Sequence, residues 1–152
     1  MKIRPDVDLA NLTDTGNVRP ENEDYYCYLE PASDEEFERK GRLIAIADGM
    51  GGHAGGKVAS TLALDSIRAT FENGSAGDPP SDPGDILISG FARAQQSILS
   101  HVASHPELDG MGTTCTAAIL HRGNLSYGHI GDSRLYLLRA GSFGPITEDH
   151  SL

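Results

Sequence analysis

The stretch Ile44-Ala45-Ile46-Ala47-Asp48-Gly49-Met50-Gly51-Gly52-His53-Ala54-Gly55-Gly56 constrains the fold more than any other part of the chain. A short apolar run leads into one carboxylate, and five glycines then fall within the next eight positions, with an imidazole among them. An apolar run this short, bounded by glycine, reads as a buried strand. Glycines let backbone approach a ligand or take positive φ at little steric cost. The stretch therefore presents one acid at a strand end with a bare loop beyond it, which suits either a metal ion or a phosphate.

The flanking chain supplies both strands and helices. Val7 to Thr13 alternates loosely as a first strand, Asp14–Asn17 is turn chemistry, and Tyr25 to Leu29 has strand propensity. Glu30 to Arg42 is polar and acidic and reads as a solvent loop. Val58, Ala59, Leu62, Ala63, Ile67 and Phe71 recur at helical spacing. A Gly/Pro/Ser-rich linker follows, and then a second helix capped by Asp82 with Pro83 at its first position. From Gly112 the pattern changes to a meander of strands over 113–121, 125–130 and 134–139. Strands, two consecutive helices, then strands predict an α+β fold with helices on largely antiparallel sheets. Nothing after Gly141 reads as an element that would close or protect an edge.

At 152 residues the chain has room for one domain with a core. Twelve basic against twenty-two acidic residues give a net charge of −10, which argues against nucleic-acid and anionic-membrane partners. No window approaches a membrane span, and no apolar run at the N-terminus resembles a signal peptide. Cys27 and Cys115 lack C-x-x-C spacing and read as reduced core residues of a cytoplasmic protein.

Gly51 to Lys57 fits G-x-x-x-x-G-K, the phosphate loop of nucleotide-binding proteins. That motif needs Ser or Thr next to hold Mg²⁺, and this chain has Val58; Asp48 before the loop would also repel phosphate. Glu23-Asp24, Asp48 and Asp132 each sit at or near a predicted strand terminus, and such termini converge at one edge of a sandwich. Hard cations such as Mg²⁺ and Mn²⁺ take several oxygen ligands plus waters.

Arg19-x-x-Asn22-Glu23-Asp24, Asp48 to Gly56, Gly112-Thr113-Thr114 and Gly131-Asp132-Ser133-Arg134 resemble, in order, the successive motifs of the protein phosphatase 2C family, the metal-dependent serine/threonine phosphatases, in its bacterial branch. The resemblance implies a four-layer α/β-β/α sandwich of antiparallel sheets flanked by helices, with two Mn²⁺ or Mg²⁺ ions at one end and room for a third. It implies that Asp48 bridges the ions, Gly49 ligates through its carbonyl, Glu23 and Asp24 hold metal-bound waters, and Asp132 serves the third ion. Arg19 would bind the substrate phosphate, where a guanidinium fork matches phosphate oxygens, and His53 would be the general acid. The implied reaction is hydrolysis of phosphoserine or phosphothreonine in proteins by a hydroxide bridging the ions, with no covalent phosphoenzyme. A phosphorylated protein, and a serine/threonine kinase among such proteins, would be the partners. His101, His105, His121, His129 and His150 receive no role.

The family also uses two later acidic ligands, in Ser-Asp-Gly-like and Asp-Asn-like motifs, and this chain contains neither. Residues 147–151 resemble its mid-domain Thr-x-Asp-His-Ser segment. Residues 1–152 are therefore expected to form one phosphatase 2C-like catalytic domain, incomplete at the C-terminus and weakly active or inactive alone. Two alternatives are a noncatalytic fragment that binds metal or phosphoprotein, and two copies that complement one another by strand pairing.

Overall fold

The structure, a computed structural model, describes residues 4, 6–17, 19–51, 55–74 and 82–150. Strand β1 (Asp24–Leu29), helix α1 (Asp34–Lys40) and strand β2 (Arg42–Met50) come first, followed by helices α2 (Gly55–Gly74) and α3 (Pro83–Ser104). Strands β3 (Gly112–Thr113), β4 (Cys115–His121), β5 (Asn124–Ile130), β6 (Tyr136–Arg139) and β7 (Ser142–Pro145) complete the order. The main sheet runs β1-β2-β4-β5, with β3 extending the β4 side of β2, and every pairing is antiparallel. The β4–β5 hairpin turns through Arg122 and Gly123, both at positive φ (50° and 76°), the turn whose twist matches its strands.

Alternation along β2 divides the sheet into two faces. Leu43, Ala45 and Ala47 join Cys115, Ala117 and Ile119 in a core closed by Leu64, Ile67 and Phe71 of α2 and Ile86 and Leu87 of α3. Each large apolar side chain buried there contributes about 1.5–3 kcal/mol. The opposite face carries Tyr26, Ile46, Leu120, Leu125 and Tyr127, each 39–47% exposed. The two long helices thus cover one face only. The expected α+β class of antiparallel sheets with flanking helices is the one this chain adopts.

Three local expectations differ from the structure. Val7 to Thr13 forms no ladder; Val7 and Leu9 are half-buried, while Leu12 is 95% exposed. Their alternation is satisfied by packing rather than by pairing, and Leu9 to Thr13 walls a cleft of about 440 Å³ against β1 and β2. The supposed loop after Glu30 holds α1. It buries no residue and so lacks a periodic signal, but its ends are well capped. The Ser33 hydroxyl accepts from the Glu36 N–H at 3.1 Å, and Gly41, at φ 69°, donates to the Phe37 carbonyl at 2.7 Å. Finally, β6 does not extend the meander. It pairs with β7 in a separate two-stranded sheet, and Gly131, at φ 105°, lies in the turn that follows β5.

A buried ionic knot fixes the far end of β1 and β2. The Glu30 side chain is fully buried; it accepts from Arg4 Nη1 at 2.7 Å and from the Tyr28 hydroxyl at 2.5 Å, and lies 3.4 Å from Arg42 Nε. Arg4 and Arg42 both lie over the Phe37 ring, at 3.8 and 4.9 Å. Burial alone would raise the Glu30 carboxyl, but the hydrogen bonds from Tyr28 and Arg4 and the charge of Arg42 outweigh it and hold the group below its ordinary value.

The near end depends on a glycine contact. A Cβ on Gly49 would lie 2.1 Å from the Gly56 carbonyl oxygen, and one on Gly56 would lie 2.8 Å from the Gly49 carbonyl carbon. Here glycine is required by close approach of strand end and helix start, whereas Gly51 needs its freedom for φ 127°.

Gly49→Ala should destabilise the chain by about 2 kcal/mol or more, because the clash is with backbone. Gly144→Ala, with nothing within 4 Å of the added methyl, should change stability by less than ~0.5 kcal/mol; urea denaturation of the two variants compares them. Glu30 supplies a second test. Its folded value lies below the free value, so its stabilisation is complete above about pH 4.3 and is lost as pH falls through the lower, folded value. Glu30→Gln should cost about 3 kcal/mol or more at pH 7. The gap between parent and variant should then narrow below about pH 4 in acid-titrated melts.

Candidate metal and phosphate site

The β1–β2 register sets Asp24 directly opposite Asp48 at the end of the sheet, on the outward face shared with Tyr26 and Ile46. An Asx turn starts β1: the Asn22 side-chain carbonyl accepts from the Asp24 N–H at 2.9 Å, and its amide donates to the Thr13 hydroxyl at 2.7 Å. The Glu23 carbonyl accepts from the Gly49 N–H at 3.2 Å and from the Ser60 hydroxyl of α2 at 2.7 Å. Strand start, strand end and helix are thus tied together at one backbone oxygen. The Glu23 carboxylate lies beside Gly56, where an added Cβ would be 2.6 Å from Oε1. A protein carboxylate therefore occupies the first turn of α2, where the dipole favours negative charge and where the phosphate-loop alternative would need a nucleotide.

Charge is concentrated at this edge. Burial, and then the charge of Asp24 and a hydrogen bond with it, raise the Asp48 carboxyl above its ordinary value; Arg19 pulls it down and Asp132 raises it further. Arg19 Nη1 makes a short ion pair with Glu23 Oε2. Its side chain is 60% exposed, so the pair contributes only about 0–1 kcal/mol and leaves the guanidinium able to exchange partners with an incoming dianion.

Asp132 sits in the exposed turn after β5 and reaches Asp48 through its charge. Among the described residues no three His, Cys, Asp or Glu side chains are grouped to hold a metal ion. His53 lies outside the described residues. The other histidines have local partners: His101 stacks on His105, His121 Nε2 meets the Glu38 carbonyl at 3.0 Å, and His129 spans Thr116 and the Glu148 carbonyl. The His150 ring packs against that of His129, and its backbone N–H donates to the Gly131 carbonyl at 2.8 Å. Cys27 and Cys115 are both free thiols, and burial pushes Cys115 up to about 12, so it is no nucleophile at neutral pH.

The donor set suits a hard cation. Asp24 and Asp48 face one another at the sheet end, partial burial and the neighbouring acid raise the Asp48 carboxyl, and the side chains offered are carboxylates. The cleft beside β1 and β2 has Asp24, Asp48 and Ser133 in its lining. Thr114, of the Gly112-Thr113-Thr114 motif, is central to this edge. Its hydroxyl accepts from the Asp48 N–H at 2.9 Å and lies 2.7 Å from the Ser133 hydroxyl. The only sequence signal for it was the position of that motif between the two acid-bearing turns.

Residues 10–152 match Protein phosphatase 2C. The chain is 41% identical over 143 residues to the serine/threonine protein phosphatase PstP of Mycobacterium tuberculosis, covering 92% of this chain and 24% of PstP. To Stp of Listeria welshimeri it is 34% identical over 140 residues, covering 92% of this chain and 53% of that protein. Among solved structures it resembles the catalytic domain of PstP in complex with two manganese ions (TM-score 0.73, 38% identity, 90% of this chain and 53% of that one). PppA, a regulatory component of the type VI secretion system of Pseudomonas aeruginosa, gives a TM-score of 0.62 at 30% identity, over 91% of this chain and 54% of that one. The chain thus spans between a quarter and about half of these relatives. Its ordered motifs, its antiparallel sheet under paired helices and these matches together show that the chain belongs to the protein phosphatase 2C family.

Proposed function

We propose that this chain carries the metal-binding and phosphate-reading part of a protein serine/threonine phosphatase, hydrolysing phosphoserine and phosphothreonine with Mn²⁺ or Mg²⁺. The observation that carries the reading is the Asp24–Asp48 pair at the sheet edge, with the Arg19–Glu23 ion pair beside it. The PstP domain it resembles holds two manganese ions. When bound, such ions supply an acidified water and screen the charge on the phosphoryl oxygens.

The residue roles are those that the family resemblance implies, and the chemistry of each side chain suits them. Asp48 would hold the ions through its carboxylate, with the Gly49 carbonyl beside it as a neutral ligand. Glu23 and Asp24 orient water by accepting its hydrogen bonds. Arg19, exposed and weakly held, exchanges Glu23 for the substrate phosphate and offers it a planar pair of donors. His53 is the candidate proton donor to the leaving alkoxide. Asp132, at longer electrostatic range, serves a third and looser ion. The partners are phosphorylated proteins, and a kinase whose own serines or threonines are phosphorylated is one such substrate. Among the described residues no helix is long and apolar enough to cross a membrane, and the compartment proposed is the cytoplasm.

The lack of a three-acid group among the described residues favours a second reading, metal or phosphoprotein binding without turnover. One titration separates the two. The chain should bind Mn²⁺, counted by electron paramagnetic resonance, and Asp48→Asn should weaken that binding by about tenfold or more. Hydrolysis of p-nitrophenyl phosphate by the same samples should be slow and strictly dependent on Mn²⁺. Turnover without divalent metal, or Mn²⁺ binding indifferent to Asp48→Asn, would sink the phosphatase assignment; binding with no turnover would select the second reading.

A further inference from the structure

We propose that Thr114 is a positioning residue, whose side-chain hydroxyl couples the Asp48 strand end to the Asp132 turn so that both acids are held at one edge. Thr114 is 2% exposed and lies between β3 and β4, opposite Asp48 in the register that β2 keeps with both strands. In an unbroken antiparallel ladder such a pair would exchange two backbone hydrogen bonds. Here only one is made in that form: the Thr114 N–H donates to the Asp48 carbonyl at 2.9 Å. The Asp48 N–H goes instead to the Thr114 hydroxyl at 2.9 Å. The side chain thus stands in for a carbonyl at the residue that carries the acid.

The same hydroxyl lies 2.7 Å from Ser133 Oγ, and either of the two can donate. The methyl group points the other way: a Cβ on Gly131 would lie 2.6 Å from Thr114 Cγ2, so the turn rests directly on it. The Ser133 carbonyl also accepts from the Thr116 hydroxyl at 3.3 Å. Asp132 lies between Gly131 and Ser133, and both neighbours are therefore held by one threonine. Moving that side chain moves two acids 84 residues apart in the chain, Asp48 and Asp132. The importance of the coupling for metal rests on the function proposed above, whereas the coupling itself does not.

The test separates hydroxyl from methyl. Thr114→Val keeps the shape and removes the hydroxyl, Thr114→Ser does the reverse, and Ile119→Val is a core control remote from the acids. In amide NMR spectra of the 152-residue chain, Thr114→Val should move the Asp132 and Ser133 resonances together with that of Asp48. Thr114→Ser should leave all three near the parent positions. Should Thr114→Val fail to fold, Ser133→Ala removes the other end of the link and should move the Asp48 amide. In parallel, Thr114→Val should weaken Mn²⁺ binding by about tenfold, with Thr114→Ser within about twofold of the parent. Ile119→Val should lower the melting temperature without changing that affinity. Shifts confined to Thr114 and its immediate neighbours would overturn the proposal, as would a Ser variant as perturbed as the Val variant, or Mn²⁺ loss equal to that of Ile119→Val. If the parent binds no Mn²⁺, the metal reading fails and the Asp132 shifts alone decide: movement with Ser rescue upholds the coupling, and none overturns it.

Discussion

The close approach of Gly49 to Gly56 is the contact on which the acid-bearing edge depends. With no side chain on either residue, the end of β2 lies against the first turn of α2, and the Glu23 backbone is drawn in beside both. A methyl group at Gly49 would force strand and helix apart by an amount the packed interior cannot absorb. Asp24, one residue after Glu23 and paired with Asp48 across the ladder, would move with them. The geometry of the carboxylates is thus a consequence of the backbone packing beside them.

A second constraint holds the opposite end of the same strand pair. Glu30, Arg4, Arg42 and Tyr28 form a buried ionic knot under which the chain before β1 and helix α1 are pinned. Burying these charges costs several kcal/mol per ion, and their mutual pairing offsets that cost only while the set is complete. The pair β1–β2 is therefore clamped at both ends by different physics, charge at one and glycine packing at the other. Between the clamps it offers Tyr26 and Ile46 on its exposed side. The face lined by these residues is continuous with the cleft that reaches Asp24 and Asp48.

Like charges gathered without a counter-ion are unfavourable; here the charge of Asp24 helps raise the Asp48 carboxyl above its ordinary value, while Glu23 is paired with Arg19. Under the function proposed above, a divalent cation would offset the repulsion between the acids, and a phosphate dianion would compete with Glu23 for the exposed Arg19. Local instability of this kind is expected where structure has been given over to binding.

The strand leading to Asp48, the amphipathic α2 and α3 and the β4–β5 hairpin were legible in the residues, because periodicity and turn chemistry are local properties. The order of the acid-bearing motifs was legible too, and with it the family. Helix α1 was not, since it buries nothing and its signal lay in its caps, Ser33 and Gly41. Nor was the separation of β6 and β7 from the main sheet, because strand pairing between segments is not a local property. The residues alone determined which groups carry charge and which stretches take up strand or helix. Only the tertiary structure decided that Asp24 faces Asp48, that Gly49 touches Gly56, and that Thr114 replaces a ladder carbonyl between two turns. Each of these is a pairing between segments distant in the chain, set by register and packing, and no local pattern encodes it.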